Sequence, residues 1–246
     1  YKFPSTNGTK KWVMTTEEFS NEFDALLNSY ANTVSFGKSY SLVELDEYEK
    51  SAFLSSSQEE IIKELYSGNN PTNNSFEETE ELRRSLGDLI KTYRVSKEVT
   101  GEGISNTSVF FNIPKDVWFI TYESAIIRDG KCKDYKEVSV VPVTQDTYYK
   151  IINNPFKSSN ERRALRLDTS SNTVELISKY QIVEYLIRYL SKPTPIILAN
   201  LDGISIDGKS DITECALNPI IHRNILERAV QKALISKGLL NNNNKQ

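Results

Sequence analysis

Between residues 14 and 98 apolar side chains recur every three or four positions. Phe19, Phe23, Leu26, Leu27 and Tyr30 make one stripe, at the spacing of a helix face. Thr15 or Thr16 stands ahead of it as a cap, and Glu17 and Glu18 fall in the first turn, where carboxylates favour the positive end of a helix. A second helix is predicted from about Asp46, with Tyr48, Phe53, Leu54, Ile61, Ile62 and Leu65 on its apolar side and Gly68 at its end. Ser75 caps a third. Glu77, Glu78, Glu80 and Glu81 lie near its start, and Leu82, Leu86, Leu89, Ile90 and Tyr93 form its buried face. Three amphipathic helices of this length are expected to pack on one another, with the third also meeting the helix at the end of the chain.

The pattern changes after about Val99. "SVFFNIPKDVWFITYESAII" is rich in aromatic and β-branched residues and is divided by Pro114. Asp129-Gly130 is a hairpin dipeptide. "KEVSVVPV" and "TVELIS" read as strands, and in "IVEYLIRYLS" Val183, Tyr185, Ile187 and Tyr189 alternate with the other positions. Pro193 and Pro195 cannot donate to a ladder, so "KPTPIIL" is an edge or a crossover. Asp202-Gly203 and Asp207-Gly208 punctuate one more hairpin. A helix then follows: Asn218 caps it, Pro219 suits its first position, Ile221, Ile225, Ala229 and Ala233 lead its apolar stripe, and Gly238 closes it. The predicted fold class is α+β, a helical subdomain drawn from both chain ends with an inserted β-rich module. Its expected divisions are an extended arm (1–13), a helical part (14–98), the β-rich module (99–212), a C-terminal helix packing on the helical part (213–238) and a flexible tail (239–246).

Composition narrows the possibilities. Hydrophobic residues are 38% of the 246, enough for a real core. No apolar run reaches the roughly 18 residues of a membrane span, and no membrane contact is expected. The chain begins at Tyr1 and its one methionine is Met14, so the natural start is expected upstream. A net charge of −3 is too small to call for nucleic acid, but its distribution is uneven. Residues 1–100 carry 11 basic and 17 acidic side chains, and residues 101–246 carry 19 and 16. Such asymmetry suits a protein whose two parts face different neighbours.

Candidate chemistry is sparse. Cys132 and Cys215 give neither a disulfide framework nor paired metal spacing. The only histidine, His222, lies near Cys215 in sequence, but the proline between them puts the cysteine outside the helix. Asp202, Asp207, Asp211 and Glu214 could bind a divalent cation, yet their spacing is not that of an EF-hand and each Asp-Gly has an ordinary turn role. There is no phosphate-cradling glycine loop and no nucleophile elbow. No cofactor or metal is expected. The remaining cluster is "NPFKSSNERRALRLD", where Phe156, Lys157, Arg162, Arg163 and Arg166 combine an aromatic with cations. Read as a loop, it offers contacts to an acidic partner face or to phosphates.

Four phrases occur in order: "LDEYEKSAFLSSSQEEIIKELY", "VVPVTQDTYYKIINNPFKSSNERRALRLD", "YLIRYLSKPTPIIL" and "ECALNPIIHRNILERAVQKALIS". Together they resemble the virion ring proteins of the head-to-tail junction of crAss-like bacteriophages, over about residues 14–238. The resemblance implies a non-enzymatic protein without catalytic residues. It implies assembly with copies of itself into a ring, twelve-fold, around the DNA channel, with the portal protein and other tail and ring proteins as partners and at most passing contact with packaged DNA. Two other classes stand beside it. One is a phage-encoded metal-dependent hydrolase using Asp202, Asp207 and Asp211. The other is a host-surface binding module.

Overall fold

The computed structural model describes residues 14–34, 44–68, 80–128, 135–170 and 172–238. The chain divides into two compact units. One comprises residues 1–88 with 193–246, the other residues 89–192. The expected arm, tail and Asp129-Gly130 turn, the Ser75 cap with Glu77 and Glu78, and Cys132 lie outside the described residues.

In the first unit, α1 (Thr16–Val34) and α2 (Glu47–Ser67) begin as the sequence predicts. Thr15 and Glu18 form a reciprocal capping box: Glu18 N–H donates to Thr15 Oγ1 at 3.2 Å, and Thr15 N–H donates to Glu18 Oε2 at 2.9 Å. Asp46 caps α2 by accepting from Glu49 N–H at 2.7 Å, and Gly68 ends it at φ 78°, a conformation that suits glycine. Phe19, Phe23, Leu27 and Ala31 are buried at four-residue intervals along α1.

The C-terminal segment enters through a single 3-10 turn, Pro219–Ile221, capped by Asn218 Oδ1, and continues as α5 (His222–Ser236). α5 packs chiefly on α2 and α1 and buries Ile225, Leu226, Ala229, Val230, Ala233 and Leu234. Each large aliphatic side chain so buried contributes about 1.5–3 kcal/mol. Along its rim Arg228 meets Glu64 at 2.5 Å, Lys232 meets Glu60 at 2.9 Å and Lys237 meets Glu49 at 3.2 Å. The partners descend α2 as α5 ascends, so the two helices are antiparallel. These pairs are partly exposed and each is worth about 0–1 kcal/mol. Burial therefore holds the helices together, and the ion pairs favour one register. Between α1 and α2 a buried ammonium, Lys50 Nζ, reaches Asp24 at 2.6 Å, Glu47 at 3.0 Å and Ser20 Oγ at 3.1 Å. Burial alone would lower its pKa, but the two carboxylates outweigh that and hold it above the ordinary lysine value.

The third predicted helix is shorter than its apolar spacing suggests. α3 covers Glu80–Leu86, a 3-10 turn takes Gly87–Leu89, and Ile90 and Tyr93 lie on a strand. Ile90, Thr92, Tyr93 and Val95 favour extended backbone, and pairing with a neighbouring strand decides the matter. Leu86 is fully buried, but the principal partners of α5 are α1 and α2, not this helix.

Residues 193–213 belong to the first unit and hold no ladder strand. "KPTPIIL" runs extended, and its backbone is held by serines one turn apart on α2. Ser55 Oγ accepts from Ile196 N–H at 3.0 Å and donates to Ile196 C=O at 3.2 Å. Ser51 Oγ accepts from Leu198 N–H at 3.0 Å. Ile197 exchanges two backbone bonds with Thr213, closing an excursion whose tip is Asp207-Gly208. Both tip residues have positive φ, 50° and 75°, and Ile206 and Lys209 pair across them, the geometry of a type I′ turn.

The second unit is a seven-stranded sheet: β1 (Ile90–Val95), β2 (Ser108–Asn112), β3 (Val117–Arg128), β4 (Tyr135–Pro142), β5 (Arg163–Ser170), β6 (Thr173–Ile177) and β7 (Gln181–Ser191), in spatial order β1-β7-β3-β4-β5-β6-β2. β1 pairs with β7 from Ile90↔Leu190 to Val95↔Tyr185. Every neighbouring pair is antiparallel except β4 with β5, which are parallel and are connected through a helix, α4 (Gln145–Ile152). One core includes Phe111, Ala125, Val140, Leu176, Tyr185 and Ile187. A second gathers Tyr148 of α4 with Val143, Leu165, Leu167 and Ile177. The observed class is the α+β arrangement predicted from the sequence.

Ser55→Ala leaves both buried backbone groups of Ile196 without their hydroxyl partner. The expected loss of stability is about 1–3 kcal/mol in urea unfolding of the whole chain. A change below about 0.5 kcal/mol would show that the serine contact is incidental.

Candidate subunit-contact site

α4 has two dissimilar faces. Tyr148 and Ile151 turn into the second core. Tyr149 and Ile152 are exposed. The chain then passes through "NNPFKSSNERR", where asparagines supply the turn chemistry. Asn153 Nδ2 donates to Tyr149 C=O at 3.0 Å. Asn154 Oδ1 accepts from Phe156 N–H at 2.9 Å, while the Asn154 carbonyl accepts from Lys157 N–H and Ser158 N–H at 3.0 and 2.9 Å. Asn160 Oδ1 accepts from Arg162 N–H at 2.9 Å, and Asn160 and Arg163 exchange backbone bonds around a two-residue turn. Arg163 Nη1 donates across the loop to Phe156 C=O at 3.0 Å. In this hydrogen-bonded frame Phe156 is 85% exposed, and Lys157 and Arg162 are exposed beside it. An ordered, exposed apolar knob is costly to leave in water and cheap to dock, because the loop needs little further ordering.

The five sequence-predicted contact residues do not share one fate. Phe156, Lys157 and Arg162 form the knob. Arg163 is half-buried and ties the loop. Arg166 is buried. The sequence reading took "KSSNERRALRLD" as loop to its end, but from Arg163 onward it is β5, an interior strand of the sheet. Ala164 and Leu165 are packed into different cores, so the strand is covered on both faces. The period-two alternation needed to recognise it was masked by two arginines and an aspartate within the strand, whose one β-branched residue is Thr169.

The Arg166 guanidinium is spent inside the sheet. Its Nη1 lies 3.1 Å from Glu123 Oε1 and its Nε 3.4 Å from Asp168 Oδ1. Tyr185 O–H donates to the other Glu123 oxygen at 2.8 Å. Burial pushes the Glu123 carboxyl above the ordinary glutamate value, against the pull of the Arg166 charge and the Tyr185 hydrogen bond. Burial and the same carboxylate push the Tyr185 phenol up. The folded chain therefore holds a proton on Glu123 more readily than the unfolded chain does. This carboxyl's contribution to stability falls as pH rises from the ordinary glutamate value through the raised one.

The other sequence candidates have structural places. His222 is buried, its Nε2 is 2.9 Å from the Leu217 carbonyl, and its ring lies against Phe19 with centroids 5.4 Å apart. Cys215 is buried, and burial pushes its thiol up to about 11, away from the thiolate that nucleophilic work requires. Asp202, Asp207, Asp211 and Glu214 are exposed. Among the described residues no group of three or more His, Cys, Asp or Glu side chains is arranged to hold a metal ion.

A helical unit built from both chain ends and a β insertion describe an α+β protein whose most distinctive surface feature is an exposed aromatic side chain on a hydrogen-bonded loop. Residues 14–245 match the family model for phage tail ring protein 3/4, and the chain belongs to that crAss-phage ring protein family. A relative described as ring protein 3 of Bacteroides phage crAss001 is 52% identical over 235 residues, covering 94% of this chain and 99% of the relative. Ring protein 4/5 of the same phage is 32% identical over 240 residues, covering 89% and 92%.

Replacing Arg166 by Met removes one member of a buried ion pair and is expected to cost about 3–5 kcal/mol. Adding Glu123→Leu to Arg166→Met removes both charges and should recover most of that loss in the same urea titration. A double variant no more stable than Arg166→Met alone would refute the view that uncompensated charge is the cost.

Proposed function

We propose that the protein is a structural component of the phage particle that assembles with copies of itself into a closed ring at the head-to-tail junction. The ring is twelve-fold, stacks on portal, tail and other ring proteins, and surrounds the DNA channel. Its work is mechanical connection rather than catalysis. Membership of the ring protein family supports the class of assembly. The observation that carries the reading for this chain is the exposed Phe156 on a hydrogen-bonded loop that also exposes Lys157 and Arg162, since aromatic and arginine side chains dominate interface energetics.

Charge supports the same reading. Counted by structural unit, residues 89–192 hold 16 basic and 12 acidic side chains, a net of +4. The remainder holds 14 and 21, a net of −7. Unlike units on successive copies attract, which favours a heterologous, head-to-tail contact and hence a ring.

The purified chain is expected to form closed oligomers of uniform mass, read by native mass spectrometry. Lys157→Glu with Arg162→Glu, leaving the loop tie Arg163 intact, should raise the concentration needed for assembly roughly ten- to hundredfold, or about 1.4–2.8 kcal/mol. Particles that assemble normally with these variants but retain DNA abnormally would assign the cations to the channel instead.

A further inference from the structure

We propose that Phe156 of one copy seats in the groove between α2 and α5 of the next copy in the ring. The inference rests on the ring reading and names its contact. The groove is lined by Ile61 and Leu65 of α2 and by Asn224, Glu227, Arg228 and Gln231 of α5, and encloses about 270 Å³. The groove is open to solvent, and its volume exceeds the roughly 150 Å³ of a cavity that holds a benzene ring, so a phenyl side chain has room there. The lining is mixed: Ile61 is nearly buried, partly exposed Leu65 gives apolar surface for the phenyl face, and the polar side chains of α5 and Glu64 border it.

The surroundings of knob and groove are complementary. Lys157 and Arg162 are exposed on the same loop as Phe156. Glu64 and Glu227 stand at the groove. Glu64 already meets Arg228, and Glu227 meets Arg223 at 3.3 Å, but a carboxylate has two oxygens and about four acceptor sites. Each therefore retains capacity for an incoming cation. At larger scale the knob lies on the unit of net charge +4 and the groove on the unit of net charge −7. The main competing occupant, the same loop of a second copy, would set cations against cations. That repulsion disfavours a two-fold contact and leaves the head-to-tail one, which repeats around a ring.

Tyr149 and Ile152 extend the apolar surface beyond Phe156. Tyr149 is 76% exposed and Ile152 41%. They are unlike the rest of α4, whose other apolar side chains pack inward. In the assembled ring they would rest beside the groove and exclude water from its rim.

The test places p-benzoylphenylalanine at position 156, which keeps an aromatic knob, and irradiates the assembled oligomer. The expected result is a cross-link between copies, mapped by mass spectrometry to peptides containing 61–65 or 224–231. A cross-link to the same loop of another copy, to DNA, or to no protein at all in intact rings would overturn the proposal. Should the variant not assemble, a charge exchange decides. Lys157→Glu with Arg162→Glu should raise the concentration needed for assembly at least tenfold, and adding Glu64→Lys with Glu227→Lys should lower it again at least tenfold. Failure of that restoration, with each chain folded by circular dichroism, also overturns it. A wild-type chain that stays monomeric under all conditions would instead refute the ring reading itself.

Discussion

Two serine hydroxyls on one face of α2 capture the chain on its return from the sheet. A helical unit completed by a second, distant stretch of chain needs a fixed point of re-entry. Here that point carries two prolines, which have no N–H to offer. Ile196 and Ile197 are fully buried, and buried backbone groups must find partners. Ser55 satisfies both groups of Ile196, Ser51 takes the N–H of Leu198, and Thr213 pairs with Ile197. The placement of α5 against α1 and α2 follows from there, because the chain that leads to α5 is anchored to α2 before the helix begins.

The legible parts of this fold were those in which local chemistry and tertiary context agree. The Thr15 and Asp46 caps, the Asn218-Pro219 entry and the Asp207-Gly208 turn are short-range devices, each satisfied within a few residues of its own sequence. β7 was legible because its alternation is regular and its residues are strong strand formers. The run Leu82 to Tyr93 misled because Leu86, Ile90 and Tyr93 keep a helical interval while Ile90 and Tyr93 pair in space with β7. The buried serines of α2 carry no local signal of their role, since their value lies in a backbone more than a hundred residues away. β5 failed for the opposite reason: its arginines suggest solvent, and Arg166 finds its counter-charge on β3, out of reach of any local rule.

The candidate site shows the same division. Phe156, Lys157 and Arg162 were visible as residue types, but their common presentation depends on a frame of asparagine turns and on the tie from Arg163 to the Phe156 carbonyl. The charge difference between the two ends of the chain becomes larger once counted by structural unit. The sequence boundary near residue 100 had assigned β1, with Lys91 and Arg94, to the acidic part.

The pairing of β1 with β7 has a consequence for how the molecule is made. Ile90 stands opposite Leu190, and Ser191 Oγ donates to the Leu89 carbonyl at 3.1 Å, so the inserted unit begins and ends at one place. A growing polypeptide can therefore close the sheet while its own C-terminus is still unsynthesised, and closing an insertion of about a hundred residues costs little more than closing a shorter one. α5 follows the sheet in chain order, so the helical unit is completed by chain made after the sheet. A surface that includes α5 is therefore complete later in synthesis than the sheet that carries Phe156.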